Sequence, residues 1–192
     1  DSGWKHLDNA VNWAEKYGIY LVLDLHGAPG GQSKDEHAGI AGKNEFWGST
    51  EKRKRAADLW TAVAARYKGR SAIAAYDLLN EPMGAPDNKT RIEVHDELYK
   101  AVRKGDANKP IIIEDGYRTI FQMPKPGKMG WKNVIYSQHH YPTMGTDNPS
   151  PDRHLGFLAG LMPVYNAWRK LQGQRAKAGQ TPSRVSKETL LD

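Results

Sequence analysis

Short apolar runs and helix-patterned stretches take turns along this chain, and that alternation restricts the fold more than any other feature. Trp4, Leu7, Val11 and Ala14 recur at helical spacing over residues 4–17, and Gly18 offers the left-handed position that ends a helix. Residues 19–25 are aliphatic and β-branched at strand length, which predicts a strand buried on both faces. A long polar loop, 26–50, follows. Ala56, Leu59, Trp60, Val63, Ala64 and Tyr67 then mark the buried face of a helix over 51–68. Ile73-Ala74-Ala75-Tyr76 opens the next strand. Thr90 and Glu93 match a capping box for a helix reaching Lys104. Residues 110–114 and 133–138 read as two further strands, and 155–172 as a last helix.

Strands alternating with helices define an α/β protein with a parallel sheet, closed as a barrel or left open. The placement of the polar residues favours the barrel. His26, Asn80 with Glu81, Glu114 with Asp115, and His139 with Tyr141 each follow a different strand. Barrels build sites from the C-terminal ends of several strands, whereas an open sheet concentrates them at one switch point.

The sharpest local signal is Tyr76-Asp77-Leu78-Leu79-Asn80-Glu81-Pro82. The apolar run stops at Asn80 and Glu81, and Pro82, with no N–H to give, turns the chain out of the sheet. An acid there can be a plain loop residue or a proton donor at the mouth of a barrel. The other candidates carry similar pairs of readings. His26 either caps its strand or faces a ligand, and Trp47 is either core or a flat platform for a ring. Glu114 and Asp115 are strand-end acids or direct participants. His26, Asp24, His139 and His140 offer metal-type donors, but two adjacent histidines on a strand point to opposite faces. Gly27-Ala28-Pro29-Gly30-Gly31-Gln32 lacks the Gly-Lys-Ser/Thr ending of a phosphate cradle and reads as a rim loop.

Composition removes several classes. The net charge is +6, yet the basic residues are scattered and no nucleic-acid motif accompanies them. No apolar run approaches the roughly 20 residues of a membrane span. With no cysteine, disulfide and thiolate chemistry are excluded. At 192 residues the chain is shorter than the ~250 typical of a complete barrel.

The segment from Tyr76 to Pro82 resembles the signature of glycoside hydrolase family 5, the cellulase and β-glucanase family. Three more stretches are similar to that family: Leu23 to Gln32, its third-strand end; Phe46-Trp47-Gly48 with Leu59-Trp60 and Ala65-Arg66-Tyr67; and His139-His140-Tyr141, its sixth-strand His-x-Tyr. The resemblance implies an incomplete (β/α)8 TIM barrel, strands three to six, over 1–172, with a polar tail over 173–192. It implies a retaining hydrolase of β-linked glucans, of cellulase or β-1,3-glucanase type, needing no cofactor and working outside the cell. Glu81 would be the general acid/base and Asn80 would hold the sugar 2-hydroxyl. His26, His139 and Tyr141 would line the cleavage subsite, with Trp47 as a stacking platform. The family's nucleophile, a Glu ending the seventh strand, has no counterpart here, and Glu188 has no buried strand before it. The chain alone is therefore expected to be inactive and to self-associate through exposed sheet edges, with no nucleic-acid or membrane partner. A non-catalytic carbohydrate-binding remnant and a metal-dependent barrel hydrolase are the alternatives.

Overall fold

A computed structural model describes residues 2–116 and 122–139, which belong to one compact unit of residues 1–140. The helix expected over 155–172, the domain boundary at 172, the tail with Glu188, and Tyr141 lie outside the described residues.

Four parallel strands form one sheet in the order of the chain: β1 (Leu21–Asp24), β2 (Ile73–Asp77), β3 (Ile111–Glu114) and β4 (Val134–Ser137). Helix α1 (Ser2–Tyr17) precedes the sheet, α2 (Thr50–Tyr67) joins β1 to β2, α3 (Asn88–Gly105) joins β2 to β3, and the short α4 (Pro126–Met129) precedes β4. Right-handed crossovers between strands taken in sequence place the helices on one side of the sheet. The direct packing of α2 on α3 fits that arrangement. A doubly wound sheet reverses its strand order; this one does not, so the four strands form part of a barrel wall.

Local chemistry sets the element ends. Gly18, at φ +68°, closes α1. Ser49 caps α2, its hydroxyl accepting from the Lys52 N–H at 3.3 Å. For α3 the capping box expected at Thr90 is displaced by one turn. Asp87 is the cap, and its carboxylate accepts from the Thr90 N–H at 2.7 Å, so the helix starts at Asn88. The core lies between the sheet and α2 and α3: Phe46, Trp60, Tyr67, Tyr76, Leu78, Leu79, Val94, Leu98, Ile111 and Ile113 are all buried. Trp60 meets Tyr76 edge to face at 5.7 Å and donates its indole N–H to the Leu78 carbonyl at 3.0 Å. That bond fastens α2 to the segment leading into Asn80 and Glu81.

The expectation that residues 19–25 are covered on both faces is corrected. β1 is an outer strand among the described residues, and Val22 is 48% exposed. An aliphatic run signals a strand but does not fix which neighbours cover it. β4 is the other outer strand, with Ile135 exposed.

Register decides what the sheet presents. Asp24 lies opposite Asp77, and Glu114 opposite Ser137. Side chains that close three of the four strands are therefore carboxylic acids, gathered at the C-terminal rim.

Candidate active site

The chain leaves β2 through Leu78-Leu79-Asn80 and bends sharply at Glu81-Pro82. The Met83 N–H donates to the Glu81 carbonyl at 2.7 Å, closing a three-residue turn around Pro82. Glu81 itself has φ +42°, a left-handed conformation that costs an ordinary residue about 1–2 kcal/mol. The cost is met locally. The Glu81 N–H donates to Glu114 Oε2 at 2.8 Å, a buried bond to a carboxylate of the kind that contributes about 1.5–3 kcal/mol. Gly116, beyond β3, comes so close to this turn that a Cβ there would lie 2.7 Å from the Pro82 carbonyl oxygen.

The Glu81 side chain is only 8% exposed as part of its residue and lies between two imidazoles. His139 Nδ1 is 2.8 Å from Oε1, and His37 Nε2 is 3.3 Å from Oε2. The other ring nitrogen of His139, Nε2, is 3.1 Å from Glu114 Oε1. One imidazole thus links two acids that stand 33 residues apart in sequence.

Beneath them lies a second carboxyl pair. Asp77 and Glu114 are hydrogen-bonded through their side chains, and their pKa values are pushed up well above the usual carboxylate range, to about 8 and about 7. Burial is the main cause for both. For Asp77 the nearby charge of Glu114 and then of Asp24 adds to it; for Glu114 the Glu81 N–H and the Asp77 bond oppose it. Two buried acids this close do not both ionise near neutrality. Glu114 accepts from the Glu81 N–H, so the shared proton sits on Asp77, which donates it to Glu114.

Gln32 joins the rim loop to this strand end. It is completely buried, donates through Nε2 to the carbonyls of His26 and Asn80, and accepts at Oε1 from the Ala28 N–H, each at 2.9 Å.

Of the residues expected in the site, Glu81, Asn80 and His139 come together. Asn80 is buried, and its backbone is held by the Leu25 carbonyl as well as by Gln32. His26 turns to Asp24, 2.8 Å from its carboxylate, with the ring 64% exposed. It stands at the rim but does not reach Glu81. The stacking-platform reading of Trp47 is corrected: its residue is 4% exposed, it packs edge-on to Phe46 at 5.5 Å, and its N–H donates to the Gln32 carbonyl at 2.9 Å. No flat face is offered to a ligand there. Sequence reasoning missed His37, which sits on a short 3-10 turn (Glu36–Ala38) in a polar loop with no periodicity to announce it. Among the described residues no group of three or more His, Asp or Glu is arranged to hold a metal ion. No helix among them is long and apolar enough to cross a membrane.

A parallel β/α wall with a buried glutamate turned out at a strand end, backed by histidines and further acids, belongs to a barrel enzyme class. The family model for Cellulase (glycosyl hydrolase family 5) matches residues 1–174, and the chain belongs to that family. It is 36% identical over 146 residues to a protein named Beta-xylosidase from Phanerodontia chrysosporium, a match that covers 74% of this chain and 30% of that protein. It is 30% identical over 144 residues to a probable glucan 1,3-beta-glucosidase A from Neosartorya fischeri, covering 73% of this chain and 34% of the relative. The chain thus spans about a third of the length of the curated relatives it matches. Among solved structures, a beta-glucanase from Saccharophagus degradans superposes with a TM-score of 0.59 at 22% identity, covering 81% of this chain and 46% of that one. Endo-glycoceramidase II from Rhodococcus sp. gives 0.58 at 18% identity, with 74% and 45% covered. These two likenesses concern the fold.

Proposed function

We propose that the protein carrying this chain hydrolyses β-linked glucosides of glucan type with retention, and that Glu81 is its general acid/base. The observation that carries the reading is the setting of Glu81. It ends a barrel strand, is nearly buried, and has a ring nitrogen 2.8 Å from one carboxylate oxygen. Cleavage of a glycosidic bond needs a carboxylic acid that protonates the departing oxygen and then, as carboxylate, takes a proton from water. His139 suits that cycle, because a 2.8 Å O···N contact lets one proton sit on either partner. In this reading Asn80, next to Glu81, holds the sugar 2-hydroxyl and His26 serves at the rim, while the part given to Tyr141 rests on the His-x-Tyr resemblance alone. In retention a second carboxylate attacks the anomeric carbon from about 5–5.5 Å away. Glu114 is unsuited to that step, since it is 3% exposed and both its oxygens face inward partners.

The test is Glu81→Gln. On substrates with poor leaving groups the variant loses about 10²–10⁴-fold in rate, the usual share of general acid catalysis, and much less on activated aryl glycosides that need little protonation. Full activity on an unactivated β-glucan would refute the assignment. A second reading, a β-xyloside substrate, is favoured by the name of the 36% identical relative. Parallel assays on aryl β-glucosides and aryl β-xylosides decide between them. An extracellular site of action follows from a polysaccharide substrate and is checked by locating the mature protein in secretion medium.

A further inference from the structure

Among the buried acids that the proposed reaction leaves without a task, Glu114 makes contact with both Glu81 and His139. Glu114 receives the Glu81 N–H on one oxygen and faces His139 on the other, while Asp77 holds it from below. We propose that Glu114 is a positioning residue for the acid/base, fixing both the backbone of Glu81 and the protonation pattern of His139. This inference rests on the reading of Glu81 as acid/base.

The chemistry runs from donors and acceptors. With the proton of the pair on Asp77, Glu114 is ionised and has only acceptor capacity to offer its other neighbour. His139 Nε2, 3.1 Å from Glu114 Oε1, must therefore carry a hydrogen. In a neutral imidazole with Nε2 protonated, Nδ1 is the acceptor. The atom facing Glu81 Oε1 at 2.8 Å is that Nδ1. The contact then requires a proton, supplied as Glu81 O–H or as imidazolium N–H. Either way one mobile proton stays at the acid/base. With the opposite tautomer, Nδ1–H would satisfy an ionised Glu81 and leave it no proton to give. Glu114 thus selects the state of His139 that keeps a proton in play. The same residue holds the Glu81 N–H and with it the left-handed backbone that aims the side chain.

Asp77 is part of the device because it supplies the hydrogen that the pair needs. Among the described residues, the titratable groups that act on Glu114 include Asp77 from β2, Asp24 from β1, Glu81 after β2 and His139 after β4; the backbone carbonyl of Glu114 is engaged by His95 of α3 at 3.0 Å.

The experiment is nitrogen NMR of the His139 ring in the protein carrying this chain, with kinetics on aryl β-glycosides of graded leaving groups. The signal is assigned by its loss in His139→Asn. The wild type is expected to show hydrogen on Nε2. Glu114→Gln is expected to change that pattern, because the Glu81 N–H and His139 face different oxygens of Glu114 and the amide has an oxygen at only one of those positions. Its kcat should fall about 10-fold or more on poor leaving groups and far less on activated ones, a fraction of what acid catalysis supplies, with KM little changed. Asp77→Asn, which can still donate to Glu114, should keep the wild-type ring pattern. A wild-type ring bearing hydrogen on Nδ1 alone would overturn the proposal. So would a folded Glu114→Gln with an unchanged ring pattern, or with equal losses on all leaving groups. If the expected ring pattern is found and changes in Glu114→Gln, but no glycoside is turned over by the wild type, the positioning role of Glu114 toward His139 stands and the glycosidase reading fails.

Discussion

Replacing Gln32 by leucine removes the knot that ties the rim loop to the strand end. Leucine is of similar size and keeps the site filled, so the effect isolates three hydrogen bonds. The His26 carbonyl is close to the exposed rim and can take water instead. The Ala28 N–H and the Asn80 carbonyl belong to residues that are 6% and 5% exposed, and they have no such substitute. Two stranded groups at about 1–3 kcal/mol each give a loss of about 2–6 kcal/mol, well above the ±0.5 kcal/mol of an ordinary surface change. Urea unfolding measures it. With a slope of about 2 kcal/mol/M, a 4 kcal/mol loss moves the midpoint by about 2 M at unchanged slope. Gln32→Glu sharpens the test. An ionised glutamate would point a second acceptor at two carbonyls, so its folded form prefers the protonated acid. Its pKa rises above the unfolded value of about 4.3, and the variant should lose stability as pH climbs past that point. A Gln32→Leu midpoint within about 0.3 M of wild type would refute the reasoning, because it would mean that the stranded groups find water or new partners at no cost.

Trp47→Ala should lower the unfolding free energy by about 3–5 kcal/mol, as loss of a buried indole does, with the melting temperature as readout; unchanged melting with weakened oligosaccharide binding would restore the platform reading. Gly116→Ala must open the turn after Glu81, since its Cβ would stand 2.7 Å from the Pro82 oxygen at a φ of +67°, so kcat should fall with little change in KM. Asp77 and Glu114 bind a proton in the folded state that the unfolded chain gives up above about pH 4, so stability from this pair is present at low pH and is lost as pH rises through the raised folded range. Asp77→Asn should flatten that fall in thermal midpoints between pH 5 and 8. His95 works at the other end: burial, then the Arg91 charge, push it down to about 3, so the unfolded chain binds the extra proton first and stability drops as pH falls from about 6.5 toward 3. His95→Gln, which can still donate to the Glu114 carbonyl, should reduce that acid-side drop in urea midpoints.

Much of the sheet was legible because each strand is an aliphatic run followed by an acid, amide or imidazole. Patterns of that kind report burial and termination, and they located β1 to β4 and α1 to α3 within a few residues. They do not report which partner covers an outer strand, so the aliphatic run of β1 gives no sign that Val22 stands exposed there, as Ile135 does on β4. Nor do they choose between overlapping caps. Thr90-x-x-Glu93 has the form of a helix start, yet the structure caps α3 at Asp87, whose carboxylate accepts strongly from a free N–H of the first turn. Glu114 was visible as an acid at a strand end but not as the partner of Glu81. That pairing depends on β2 and β3 lying side by side, a fact of register. His37 left no trace because a polar loop has no period.

The turn at Glu81 shows why the site could be found by its residues and not by its conformation. A residue before proline is pushed toward extended backbone, and glutamate has no taste for positive φ. Local preference therefore argues for an extended Glu81, whereas the structure holds it at φ +42°. The chain breaks its own local rule at the residue assigned to the chemistry, which is where such breaks are expected when the rest of the fold can sustain them. Here the support is identifiable. It consists of the Glu114 bond to the Glu81 N–H, the three-residue turn at Pro82, and the bare Gly116 that lets β3's loop lie against the Pro82 carbonyl. Each comes from a different part of the sequence, so the aim of Glu81 belongs to the assembled sheet, and a change in β3 should disturb it as surely as a change beside it.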